Sequence, residues 1–204
     1  MMTMQDEKCD SLKKERILEE TLKLISEEGF DNVTIRKIAK RANVNVALIN
    51  YHFGSKNKLL NIALKKILSV LMETISLLEN EKVDPLGRLR SFFFQYVKVF
   101  YAYPSIYFIL FQKSTFEFES RKEYIDFIKT LGVQRLVTTI KEITGESDEE
   151  RCMVMISHLL GGTFLPLIME PILKDATPFR VPDAEKHIDL LFKHYFYRYL
   201  DQSK

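Results

Sequence analysis

Apolar residues recur at three- and four-residue intervals along most of this chain, the period of helices with one buried face. Ile17, Leu18, Thr21, Leu24 and Ile25 form the first stripe, which predicts a helix over about 12–28 stopped by Gly29 in a left-handed cap. Thr34 then reads as the N-cap of a short helix through about Arg41, with Ile38 and Ala39 facing inward. Ala42-Asn43-Val44 is a tight connection, and Asn45 a second N-cap whose helix ends near Phe53-Gly54. Ser55 caps a longer helix reaching about Asn80.

Beyond Asp84-Pro85 the texture changes. Leu86, Leu89, Phe93, Tyr96, Val97 and Phe100 keep helical spacing, while Phe92, Val99 and Tyr103 fill another face. A helix apolar nearly all round is a buried central helix. Aromatics also favour strands, but no paired turn chemistry flanks "SFFFQYVKVFYAY", so the strand reading fails. Further helices are predicted over about 105–118 and 121–143, the second stopped by Thr144-Gly145. "SDEE" at Ser147–Glu150 has a capping-box pattern and opens a helix that should kink or end at Gly161-Gly162 or Pro166. The last helix, about 183–200, carries Ile188, Leu191, Phe192, Tyr195 and Tyr199 on one face. The expected fold is all-α with about nine helices. It divides into an N-terminal three-helix domain with a helix-turn-helix pattern at 10–55 and a larger helical domain at 56–204.

Composition agrees with this picture and narrows the setting. Seven Gly and six Pro, none of the prolines before Pro85, leave few helix breakers. Cys9 and Cys152 form neither a CxxC pair nor a metal spacing, and "MMTMQDEKCD" has acids but no apolar run. These features point to a cytoplasmic protein without a signal peptide. The nearest approach to a membrane span, residues 92–111, is interrupted by Gln95, Lys98 and Pro104, so no membrane partner is expected.

Charge changes the picture more. The net charge is only +2, yet Asn32–Met72 holds no Asp or Glu while carrying Arg36, Lys37, Lys40, Arg41, Lys56, Lys58, Lys65 and Lys66. A long acid-free basic stretch suits a polyanion. Within it, two helices joined by a short turn form a helix-turn-helix pattern. If Ile49 points inward, Phe53 does too, and the free face of the second helix reads Val46, Ala47, Leu48, Asn50 and Tyr51. Asn can bond adenine through two hydrogen bonds, and Ala or Val can touch a thymine methyl. Tyr51, His52, Lys56 and helix N-terminal amides suit phosphate oxygens.

Residues 16–60 also resemble the DNA-binding domain of the tetracycline-repressor (TetR/AcrR) family. The resemblance is carried by Ile17, Gly29-Phe30, Thr34, Ile38-Ala39, Val44, Ile49, His52-Phe53, Ser55-Lys56 and Leu59-Leu60, in register without a gap. It implies an all-helical homodimer that binds palindromic operator DNA and releases it when a small molecule enters the second domain. On this resemblance Arg36, Val46, Ala47, Leu48 and Asn50 become base-reading positions. Thr34, Asn45, Tyr51, His52 and Lys56 become phosphate positions. Three residues depart from the family's commonest pattern: Asn43 stands where Gly is usual, Asn45 where Ser or Thr caps, and Asn50 where Tyr is usual. The third leaves open whether Asn50 reads a base or holds a phosphate.

In the second domain, twelve of the twenty-four aromatics fall between Phe92 and Phe118. They read either as core or as a pocket for an apolar effector, lined by Phe93, Tyr96, Phe100, Tyr107, Phe111 and Phe164, with His158 among its polar groups. His187 and His194 are too far apart along a helix to share a metal unaided, so no metal and no cofactor is assigned. No catalytic spacing of Ser, His, Cys or carboxylates stands out, and the chain is not expected to be an enzyme. One recognition helix reads few base pairs, so two copies must be held about 34 Å apart or a multiple of it. Ile188, Leu191, Phe192, Tyr195 and Tyr199 are the expected dimer face.

The favoured function is a ligand-released transcriptional repressor. An alternative keeps DNA binding but places it in a nucleoid-associated or division-linked factor controlled by a protein partner. A third, a helical binding protein or enzyme with a vestigial N-terminal domain, is opposed by the acid-free stretch.

Overall fold

A computed structural model describes residues 4–111, 118–178 and 180–200. Every regular element among them is helical: α1 (Met4–Glu28), α2 (Ile35–Ala42), α3 (Val46–Phe53), α4 (Lys56–Glu73), α5 (Pro85–Ala102), α6 (Ile106–Phe111), α7 (Glu119–Phe127), α8 (Val133–Thr144), α9 (Glu149–Ala176) and α10 (Ala184–Leu200). A π-helical turn at Ile128–Gly132 joins α7 to α8 without a break, so the described residues make nine helical runs, as expected. The all-α class holds.

Two compact units emerge. The first comprises Met1–Ser69 with Ala102–Tyr124, the second Val70–Tyr101 with Ile125–Lys204. In the first, Ile17, Leu24 and Ile25 of α1 meet Ile38, Ala39 and Ala42 of α2, Ile49 and Phe53 of α3, and Leu59 and Leu60 of α4, all buried. The Ser26 hydroxyl donates to the Ala102 carbonyl at 2.6 Å, and Asn61 Oδ1 accepts from Ser120 Oγ at 2.8 Å, tying the later segment to α1 and α4.

In the second unit α5 is the central helix that its pattern predicts, with Leu89, Phe92, Phe93, Tyr96, Val97, Val99 and Phe100 buried. The helix opened by the capping-box pattern differs in two ways. Asp148, not Ser147, is its N-cap, accepting from the Glu150 and Arg151 amides at 2.8 and 3.3 Å. It also neither ends nor breaks at Gly161-Gly162, but runs on through Pro166 and Pro171. A proline at 166 deprives the Gly162 carbonyl of its helical donor, and His187 Nε2 of α10 takes that place at 3.0 Å. The missing side chain at Gly162 serves the same approach, because a Cβ there would lie 2.6 Å from Leu191 Cδ1.

Candidate nucleic-acid interface

Two caps and one left-handed residue set the geometry around α3. The Thr34 hydroxyl accepts from the Lys37 amide at 3.3 Å and starts α2. Asn43 ends it with φ 51° and ψ 51°, a left-handed conformation that Asn tolerates better than most side chains. The Val44 amide then returns to the Ala39 carbonyl at 3.0 Å. Asn45 Oδ1 accepts from the Leu48 amide at 2.7 Å and starts α3. Gly54, at φ 77°, closes α3 with its amide on the Asn50 carbonyl at 2.8 Å. Ser55 Oγ accepts from the Lys58 amide at 3.2 Å and opens α4.

Burial then sorts the faces of α3. Ile49 and Phe53 are buried against the unit's core, with the Lys14 ammonium 6.0 Å from the Phe53 ring centre. Ala47 and Asn50 are exposed, Tyr51 is 75% exposed, and Val46 and Leu48 are half-buried. Arg36, Thr34 and Asn45 are exposed, and Lys56 is half-buried in the first turn of α4. The caps use one acceptor of each side chain, so the Thr34 hydroxyl hydrogen and the Asn45 carboxamide NH2 remain as donors for an anion.

His52 departs from the expected role of an exposed phosphate anchor. Its side chain is only 5% exposed, with Nε2 3.3 Å from Asp10 Oδ1. The ring lies edge-on to both neighbours, 5.2 Å from Tyr51 and 6.2 Å from Phe53. One helical turn carries Phe53 into the core, and His52, about 100° away, is drawn toward α1 rather than toward solvent. Asp10, its partner, was missed because the apolar stripe that marks α1 starts later, although the helix begins at Met4.

The basic stretch is also less uniform than its composition. Arg41 is held by Glu20 and Glu27 of α1, Lys37 by Glu28 at 2.5 Å, and Lys65 by Glu123 at 2.9 Å. A hydrogen bond from Lys23, supported by Arg41, holds Glu20 below the usual carboxylate range. The Arg41 guanidinium does the same for Glu27. Among the described residues, Arg36, Lys40, Lys56, Lys58 and Lys66 have no carboxylate within ion-pair distance. The arrangement offers hydrogen-bonding and methyl groups on one helix face, with uncommitted cations on the neighbouring helices.

Residues 17–62, which contain the whole of α2, the turn and α3, match the model of the tetR family of bacterial regulatory proteins. This N-terminal stretch is therefore similar to the tetR-type DNA-binding domain. A biofilm-operon negative transcriptional regulator, IcaR of Staphylococcus aureus, is 30% identical over 84 residues, 41% of this chain and 45% of IcaR. The chain thus spans about half the length of the curated relatives it matches. Among solved structures, the TetR-family regulator PfmR of Thermus thermophilus is similar at 23% identity and a TM-score of 0.62, over 87% of this chain and 97% of PfmR. AibR, solved with isovaleryl coenzyme A and operator DNA, is similar at 18% identity and a TM-score of 0.62, over 89% of this chain and 97% of AibR.

The other expected sites of the chain rearrange. Tyr96, Phe100 and Phe164 do come together in the second unit, but as a closely packed cluster: Phe100 and Phe164 have ring centres 4.4 Å apart, and Tyr96 lies 5.5 and 5.7 Å from them, while Phe93 meets Phe92 and Phe192 at 5.2 and 5.8 Å. Tyr107 falls in the first unit. The side chain of Phe111 lies outside the described residues, as does that of Cys9. His158 is not with the aromatic cluster. It is exposed on α9, edge-on to Tyr195 at 6.4 Å. Cys152 is buried and free.

On α10 the apolar face expected between copies turns inward, and the outward apolar residues lie about half a helical turn away. Ile188 and Phe192 are buried inside the second unit together with Phe196, so they are core rather than interface. Leu191, Tyr195 and Tyr199 are half-buried, Leu191 against Gly162 and the Tyr195 hydroxyl 3.4 Å from the Met155 carbonyl. What remains apolar and outward is Val154, Leu165 and Ile172 on α9, with Leu190 and Tyr197 on α10. The periodicity of α10 identifies one apolar face and cannot distinguish a core within the protomer from a surface between copies.

Proposed function

We propose that this chain is a DNA-binding transcriptional regulator, a repressor that acts as a homodimer on a palindromic operator in the cytoplasm. The observation that carries this reading is the sorting of α3: Ile49 and Phe53 anchor it while Ala47, Asn50 and Tyr51 stand free, in a stretch without a carboxylate. Base reading is assigned to Arg36, Val46, Ala47, Leu48 and Asn50, and phosphate contact to Thr34, Asn45, Tyr51 and Lys56. The negative sign follows IcaR, 30% identical over 84 residues. The domain boundary near residue 55 is kept for function, since the reading helices end there.

The second copy is assigned to the outward face of α9 and α10. From Leu165 to Ala176 no residue of α9 is buried, although Leu165, Leu167, Ile168, Met169, Ile172 and Leu173 are apolar. α9 is also long and apolar enough to cross a membrane by length and composition. A symmetric contact between copies is preferred because operator specificity needs two reading helices held together.

Release by a small apolar effector is the finer part of the proposal. It draws on the aromatic cluster and on the similarity in fold to AibR, which binds isovaleryl coenzyme A and operator DNA. Close packing of Tyr96, Phe100 and Phe164 favours the alternative, control by a protein partner, because an effector would have to part these rings. One experiment separates them: operator affinity measured over a salt series, with and without a library of apolar acyl compounds, beside the melting temperature. A ligand-released repressor shows compounds that raise the melting temperature and weaken operator binding together, since one equilibrium links the two sites. No such compound leaves control to a protein partner.

A further inference from the structure

Asp10 is an anion placed against the one helix that should meet a polyanion. Its carboxylate lies 3.3 Å from His52 Nε2, and the His52 side chain is almost wholly enclosed. His52 in turn meets Tyr51 edge-on at 5.2 Å, and Tyr51 is the most exposed large side chain of α3. Lys14, one turn beyond Asp10 on α1, lies 6.0 Å from the centre of the Phe53 ring, which is itself edge-on to His52. The start of α1 therefore meets the end of α3 twice, with a carboxylate beside an imidazole nitrogen that has no hydrogen-bond partner among the described residues and with a cation near an aromatic ring. Both contacts lie before residue 17, where the family match begins.

From this geometry we infer that Asp10 is a positioning residue for DNA reading: it fixes the His52 ring, and through that ring the direction of Tyr51. The inference rests on the proposed DNA-binding function. It makes a prediction whose sign opposes simple electrostatics. Removing a carboxylate near a DNA-binding face should tighten binding to every duplex, because fewer negative charges face the phosphates. Removing a positioning group should instead weaken binding to the operator, because an uncharged phosphate contact from Tyr51 sets the register in which α3 meets the bases, and a random duplex has no register to lose.

The full-length chain is tested as wild type, Asp10→Ala, Asp10→Asn, His52→Ala and Asp10→Ala with His52→Ala. Affinities are measured for a selected operator and for a random duplex at fixed salt, with melting temperatures alongside. Asp10→Ala should lose about tenfold in operator affinity, equivalent to about 1.4 kcal/mol, while binding the random duplex as tightly as wild type or tighter. Asp10→Asn, which keeps an oxygen for His52 while losing the charge, should recover most of the loss. The double variant should be no weaker than His52→Ala. Equal or tighter operator binding by Asp10→Ala would overturn the inference, as would equal losses on operator and random duplex. A wild-type chain with no preference for any duplex would instead refute the DNA-reading function, and this inference with it.

Discussion

His187 Nε2 stands 3.0 Å from the Gly162 carbonyl, the oxygen that Pro166 leaves without a helical donor. A break in the backbone ladder of α9 is thus closed from α10, and Leu191 fills the space that Gly162 leaves one turn further along. Replacing His187 by Leu should orphan that carbonyl and cost about 1–2 kcal/mol in denaturant unfolding. In a Pro166→Ala background the restored amide takes the carbonyl, so the same replacement should cost at least about 0.5 kcal/mol less. Equal costs in the two backgrounds would mean that His187 contributes packing alone.

Arg41 belongs to the basic stretch by sequence but to the fold by geometry, since it bridges Glu20 and Glu27 of α1. Arg41→Ala should lower the melting temperature at neutral pH, modestly as for an exposed ion-pair network, and leave the salt dependence of DNA binding unchanged. The two carboxyls are held below the ordinary value of 4.5 in the folded chain. Their unfolded forms therefore bind protons first as pH falls. The stabilisation is complete at neutral pH and disappears as pH drops below about 4.5, so the gap in melting temperature between wild type and Arg41→Ala should close in that range.

Lys56 behaves in the opposite way. Among the described residues it has no carboxylate partner, and it sits in the first turn of α4, beside the end of α3. A dimer that neutralises about eight phosphates should show a log–log salt slope near −7. Lys56→Ala should flatten it by about two units, one contact per copy, and weaken all sequences alike. An unchanged slope would remove Lys56 from the phosphate contacts.

The proposed contact between copies can be broken without entering the core. Leu165 and Ile172 are 57% and 62% exposed, unlike Ile188 and Phe192. Leu165→Asp with Ile172→Asp should give a folded monomer in sedimentation that has lost operator affinity, the interface normally burying above roughly 1,200 Å². A dimer of unchanged strength would place the interface elsewhere.

Much of this architecture was legible in the sequence because it rests on local chemistry. Thr34, Asn43 and Asn45 each carry the side chain that their backbone conformation calls for, and Ile49 and Phe53 share a face by spacing alone. What was not legible depends on partners distant in sequence. Nothing near His52 announces Asp10, forty-two positions earlier, and nothing near Arg41 shows that Glu20 and Glu27 hold it. Pro166 reads as a helix stop until His187 is brought beside Gly162. The aromatics around Phe100 fit a core and a pocket equally well by composition, and only ring distances separate the two.

The central claim, that the free face of α3 reads base pairs, is tested most directly by selecting bound sequences from random duplex DNA with wild type and with an Ala47→Gly, Asn50→Ala variant. Wild type should enrich a palindrome whose half-sites lie about 34 Å apart or a multiple of it. The variant should lose enrichment at one symmetric pair of positions while keeping its salt slope. The same consensus from both proteins, or no enrichment by wild type, would contradict the account.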